Sequence, residues 1–212
     1  MMSVIEKDKG LRDFMGVPRE QALRNRQSII DTASRVFRER GVDGVGVADL
    51  MKEAGFTHGG FYNHFKSKDA LAAEACAAVL SRAIEDMARV IEADGEGRNG
   101  SFRAVLEGYL SPMHRDDPGQ GCPIPAMATD ASRQGEQMQA AYAEGIERFI
   151  QAMSSYFARG QEDVQQPEAA RASAIGLLTH LVGALVLARG VGTANPGLSE
   201  EILAVGRSRL PV

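Results

Sequence analysis

Cysteine is scarce in this chain: Cys76 and Cys122 are the only two. They lie far apart, and the opening residues MMSVIEKDKGLRDFMG alternate charges with single apolar residues, never building the apolar core of a secretory signal. A disulfide framework is therefore excluded, and reduced thiols in a cytoplasmic protein are expected. Strand signals are missing too, since no β-branched alternation between turn residues is long enough to require a sheet. No repeat of solenoid period and no low-complexity tract is present. The four histidines, His58, His64, His114 and His180, have no metal-ligand spacing, and the first two are six apart, off any common helical face. No metal or other cofactor is expected. One hydrolase-like combination can be written, Cys122 with His114 or His180, but no cue places an oxyanion hole, and the chain does not read as an enzyme. The longest apolar run, IGLLTHLVGALVLA at residues 175–188, is shorter than the ~20 residues of a membrane crossing and carries Thr179 and His180 at its middle.

What remains is helical periodicity. The 212 residues, with 44% hydrophobic and 25% charged content, suit one small module and one larger domain. A first helix begins near Pro18 and presents Ile29, Ile30, Ala33, Val36 and Phe37 on one face until Gly41 stops it. A second spans about 47–54, and a third runs from Thr57 to about Phe65. Ser67 caps a long fourth helix ending near Asp94. The tract DGEGRNG, 94–100, is the candidate hinge between front module and body. Helices near 101–113, 123–132, 134–159, 167–188 and 199–209 complete an all-α protein. Domain boundaries fall at 18–68 and 69–212, with the helix 67–94 connecting them.

Charge is segregated along this order. Residues 18–68 hold nine lysines and arginines against six acidic residues, a net +3; residues 69–212 hold twelve against nineteen, a net −7. A basic front on an acidic body, in a chain of net charge −4, fits a module that meets phosphates carried by a body that does not; solvated helix faces segregated by chance are the bland alternative.

The segment VADLMKEAGFTHGGFYNHFKSK, 47–68, reads as two short helices about a Gly55 turn. Leu50, Met51 and Ala54 face Phe61 and Phe65, leaving His58, Gly60, Tyr62, Asn63 and His64 to point outward. Gly59 and Gly60 each cost ~1 kcal/mol in a helix relative to alanine and would let backbone approach a duplex. Tyr62, His64, Lys66 and Lys68 place a hydroxyl and cations where phosphates would lie. A helix that enters the major groove must be short, end-on and braced by a second, which describes this pair.

These residues, with ASRVFRERG before them and DAL after, resemble the tetracycline-repressor (TetR/AcrR-like) family of bacterial transcription regulators. The resemblance implies an N-terminal three-helix helix-turn-helix module and a C-terminal helical domain that binds an effector and dimerises. It implies that Thr57, His58, Gly59, Gly60 and Asn63 sit at or near base edges of a palindromic operator, while Tyr62, His64 and Lys68 contact phosphates. The chain departs from the family at Val45 and Gly46, where Thr or Ser is usual, and at Ala48, often a longer polar residue; a cap hydroxyl and one DNA contact are missing.

In the body, Phe102, Tyr109 and Met113 share a helix face, Met127 follows, and Met138, Tyr142, Gly145, Phe149 and Met153 form a stripe on the longest helix. Such a stripe is core or, with adaptable Met and aromatic side chains and space at Gly145, the lining of a pocket for a small apolar or aromatic effector. Cys122, in QGCPIPA at a helix start, would gain thiolate character from the helix dipole and could sense electrophiles, or it is a small residue fixing a loop. Cys76 reads as packing. The residues 175–188, apolar all round, must be covered on every side, at the centre of a core or at a subunit interface, the latter being the favoured reading. Leu178, Leu181, Val182 and Leu185, with Gly176 and Gly183 on one stripe and Ile202 behind, are the expected homodimer contacts.

Overall fold

Helix after helix follows from the spacing just described, and no strand occurs among the described residues. The computed structural model describes the backbone of residues 4–94, 100–159 and 167–210, and side chains from residue 19 onward. The elements are α1 (Val4–Arg40), α2 (Val47–Glu53), a 3-10 helix (His58–Asn63), α3 (Lys68–Asp94), α4 (Ser101–Tyr109), α5 (Pro112–Asp116), α6 (Pro123–Arg133), α7 (Glu136–Arg159), α8 (Pro167–Val191) and α9 (Pro196–Ser208).

The expected all-α order holds, with four differences. Helix α1 begins at Val4 and runs through Pro18, so the proline is an interior residue and not a first-turn one. The third helix is a six-residue 3-10 turn and not an α-helix to Phe65, in keeping with two adjacent glycines at its start. The helix expected at 101–113 divides at Pro112, which opens α5; Ser111 accepts from the His114 amide at 3.2 Å as its cap. Helix α9 starts at Pro196, capped by Asn195 accepting from Leu198 N–H at 3.1 Å. Most of the proposed hinge tract, residues 95–99, and the loop 160–166 lie outside the described residues.

One apolar core joins both halves. Ile29, Ala33, Val36 and Phe37 of α1 meet Leu50 and Met51 of α2, Phe61, Phe65, and Leu71, Ala72 and Ala75 of α3, all buried. Gly41 ends α1 with a left-handed φ of 77° and an amide donating to Phe37 O at 2.9 Å. Ser34, fully buried, donates to Ile30 O at 2.8 Å and Ala75 O at 3.1 Å, satisfying its hydroxyl at the α1–α3 contact. Further along, α3 packs closely on α7: a Cβ on Gly145 would lie 2.5 Å from Leu80 Cδ1 and 3.0 Å from Leu80 Cβ. The room expected at Gly145 is thus filled by Leu80 and belongs to a helix crossing.

Helix α8 is 25 residues long and passes a membrane test by length and composition, so the shortness of residues 175–188 does not exclude a crossing as it promised to. Only 33% of its most apolar window is buried within the chain. Leu177, Leu178, Leu181 and Leu185 face the core, against α7 and α9. Ile175, Thr179, Val186 and Leu187 are exposed on the other side. Leu178, Leu181 and Leu185, expected to meet a partner, are therefore consumed by the chain's own core; Val182 and Ile202 are half-buried.

Candidate nucleic-acid interface and the cavity behind it

The α2 unit is tied to α1 by charge. Arg35 donates to Glu53 at 2.6 Å and to Glu39 at 3.0 Å, and Arg40 reaches Glu53 at 3.3 Å. The Arg35 hydrogen bond holds the Glu53 carboxyl below its ordinary range. After α2 the chain turns at Gly55, whose φ of 85° is available to glycine at little cost. Its amide and that of Phe56 close the turn on Lys52 O and Met51 O, at 3.1 and 2.8 Å. Gly46 caps α2 without a side-chain hydrogen bond and Val45 is buried, so the missing cap hydroxyl is real.

Phe61 and Phe65 are buried with Leu50 and Met51, while Ala54 is half-buried. Anchored this way, the 3-10 helix turns Thr57, His58, Gly59, Tyr62 and Asn63 to solvent, with Lys66 beyond; Gly60, His64 and Lys68 are half-buried. Tyr62 is 67% exposed, its ring edge-on to Phe61 at 5.2 Å. That is a large aromatic surface the core does not use. A Cβ on Gly59 would meet nothing within 4 Å, and one on Gly60 only ordinary contacts. Packing inside the chain therefore does not demand these glycines. Arg26 stands 4.7 Å over the Phe65 ring and donates to Glu74 at 2.7 Å, bracing the rim from behind. Of the expected DNA-facing residues, Thr57, His58, Gly59, Tyr62, Asn63 and Lys66 are thus exposed and the other three partly so.

Between this module and the body lies a cavity of about 480 Å³. Tyr109, Cys122 and Phe149, assigned to a pocket, line it, together with Val79, Ala83, Met87 and Val90 of α3, Val105 of α4, and the loop residues Gln120, Gly121 and Pro123. Arg38, Arg82 and Asp86 stand on its wall as well. The other assigned residues do not reach it. Phe102, Met127 and Met153 are fully buried core, Phe102 lying against the Tyr156 ring at 4.0 Å, and Met113 is 81% exposed on the short helix α5. Tyr142 is half-buried and donates its hydroxyl to Ile124 O at 2.9 Å. Sequence reading missed Arg38 and Arg82 because nothing local to either marks it as turned toward a cavity, and missed the α3 face because its spacing is also that of core.

Cys122 caps α6, yet its thiol is held protonated. Burial pushes it up, against the Ile124 backbone, the Tyr109 hydroxyl and the Arg189 and Arg38 charges, which all pull down. The thiolate expected from the helix dipole does not prevail. Cys76, buried in α3, is pushed up to about 12 by the same cause. His114 holds the Cys122 loop in place. Its Nδ1 lies 2.7 Å from Tyr109 O and must donate there, so Nε2 is the bare nitrogen that accepts from Cys122 N–H at 2.9 Å. Burial lowers its pKa in keeping with this neutral form. With both nitrogens engaged by backbone, His114 is not a base for the thiol. His180 Nε2 lies 2.9 Å from Gly206 O.

The comparisons with known proteins agree with this geometry. The family model of bacterial regulatory proteins, tetR family, matches residues 29–75, and that of the LmrA/YxaF-like transcriptional regulator C-terminal domain matches residues 100–196. The HTH-type transcriptional repressor DhaR of Mycobacterium sp. (strain GP1) is 28% identical over 65% of this chain and 67% of its own length. AcrR of Shigella flexneri is 39% identical, but over 26% of each chain. The repressor NemR of Escherichia coli (strain K12) is 25% identical over 65% of this chain and 69% of its own. The crystal structure of E. coli NemR in its reduced form superposes with a TM-score of 0.69 at 20% identity, covering 87% of this chain and 94% of that one. A TetR-family regulator from Agrobacterium tumefaciens gives 0.68 at 18%, covering 90% and 100%; at such identities the likeness speaks to the fold.

A helix-turn-helix unit in front of a helical body is the arrangement of a transcription regulator. The chain belongs to the TetR family of bacterial regulatory proteins, which are not enzymes.

Proposed function

We propose that this protein is a cytoplasmic, homodimeric repressor that leaves a palindromic operator when a small apolar or aromatic effector binds its body. The observation that carries the reading is the exposure of Thr57, His58, Gly59, Tyr62 and Asn63, with Lys66 and Lys68 at their edge, over Phe61 and Phe65, which are buried. Residues 18–68 are the DNA-reading module, residues 69–212 the sensing and dimerising body, and α3 connects them. Thr57, His58, Gly59, Gly60 and Asn63 meet base edges; Tyr62, His64, Lys66 and Lys68 meet phosphates. Repression follows from occupying a promoter that polymerase needs.

Dimerisation falls to the outer faces of α8 and α9. Exposed Leu187, Leu198 and Val205 edge a largely apolar groove of about 390 Å³ with Ala184 and Ile202. A Cβ on Gly176 or Gly183 would meet nothing within the chain, so a partner helix can come close along that stripe. The effector acts by favouring one separation of the two reading helices; successive grooves on one face lie ~34 Å apart, and a small rigid-body change loses a half-site. The test is binding of the purified protein to the duplex upstream of its own coding sequence. Specific, salt-sensitive binding is expected; hydrolysis of ester substrates without DNA binding would overturn the reading.

A further inference from the structure

The cavity beside α1 holds more hydrogen-bond donors than the fold uses. We propose that it takes a small organic acid, its carboxylate held by Arg38 and Arg82 and its apolar or aromatic body laid along α3 and Phe149. The proposal rests on the effector reading above and names the class of ligand.

Arg38 sits in the last turn of α1 and is half-buried. Its Nε donates to Ser34 O at 2.9 Å and its Nη1 to Gly121 O at 2.7 Å, leaving three of a guanidinium's five N–H groups. Among the described residues no carboxylate pairs with it. Burial and the neighbouring Arg82 work against its charge by more than Cys122, Asp117 and Glu39 favour it, and an anion in the cavity would relieve that penalty. Arg82 pairs outward with Asp31 at 2.6 Å. Asp86, the carboxylate on the cavity wall, pairs with Arg89.

Deeper in, the Tyr109 hydroxyl oxygen is buried beside the Cys122 thiol, behind the wall that this residue forms. Burial raises its pKa, with the thiol adding to the effect, so it stays neutral there. The wall is apolar along Val79, Ala83, Met87, Val90, Val105 and Phe149, with Gln120 and the paired Asp86 as its other polar side chains, and about 480 Å³ lies within the range of small-molecule sites. Two guanidinium groups beside an apolar face select an amphipathic acid over a cation or a bare inorganic ion.

The position gives such a ligand leverage. Arg38 ties α1 to the loop that leads into α6, and the far end of α6 returns to the module, where Gln134 donates to Asp43 at 3.1 Å. An acid that draws the guanidinium from Gly121 O acts on the joint between module and body.

Calorimetry of the full chain with 4-butylbenzoate and its neutral amide tests this. The acid should bind at least about tenfold tighter, the scale of a charge-assisted hydrogen bond. Arg38→Met should erase the preference, and Arg38→Lys should keep part of it. Melting curves establish that each variant is folded. Equal binding of acid and amide, binding of neither, a preference that survives in folded Arg38→Met, or inorganic phosphate binding as well as the acid would each overturn the proposal. Operator binding without ligand is measured alongside: a chain that binds its duplex but not the acid loses this inference alone, and one that binds no duplex loses the repressor reading.

Discussion

Asn63, Tyr62 and Lys68 lie within one short stretch of surface but differ in what they can report to DNA. An amide can pair with base edges, whereas a phenol hydroxyl and an ammonium at the rim would touch phosphates, which are the same on every sequence. Tyr62→Ala and Lys68→Ala should therefore weaken binding to matched and mismatched duplexes by the same factor, and Asn63→Ala should change the preference between them by about 1–3 kcal/mol; filter binding on a panel of single-base variants separates the two. His114 carries a second prediction. It is neutral in the fold because burial lowers its pKa, and protonation would set a new N–H against that of Cys122. The stabilisation is present above the ordinary histidine pKa, about 6.5, and is lost as the pH falls below it. The melting temperature should drop between about pH 7.5 and about pH 5.5 more steeply in the wild type than in His114→Gln. That variant should in turn be less stable near neutrality by about 1–3 kcal/mol, because a flexible amide does not hold the Tyr109 carbonyl and the Cys122 amide together as the rigid ring does.

At the scale of elements, two glycines in long helices make opposite forecasts. Gly145→Ala drives a Cβ into Leu80, one of whose contacts is the Cβ attached to the α3 backbone, so it should cost about 1–3 kcal/mol despite alanine's higher helix propensity. Gly183→Ala meets nothing in the chain and should leave the subunit's fold intact or firmer while weakening dimerisation; chemical denaturation and sedimentation, compared for both variants, decide. The helices themselves were legible because amphipathic spacing, the Ser67 cap and the Gly41 stop are local signals. Which face of α8 turns inward was not, because the helix is apolar all round and only the positions of α7 and α9 choose Leu178, Leu181 and Leu185 for the core. The same holds for the cavity. Tyr109, Cys122 and Phe149 were found from their chemistry, but Arg38 comes from another module some 70 residues earlier than its neighbours on α4, and no periodicity links them.

For the molecule as a whole, operator binding requires two copies to present two reading helices at one helical repeat. Each copy brings a net +3 over residues 18–68 and a net −7 over 69–212, so DNA should be met by one end of the dimer, and affinity should fall steeply with salt. The most direct measurement is sedimentation of the purified chain with and without a duplex carrying the palindrome upstream of its gene, at low and physiological ionic strength. A dimer that binds the palindrome, binds a single half-site far more weakly and lets go as salt rises is the predicted result. A monomer indifferent to duplex DNA even at low ionic strength would contradict it.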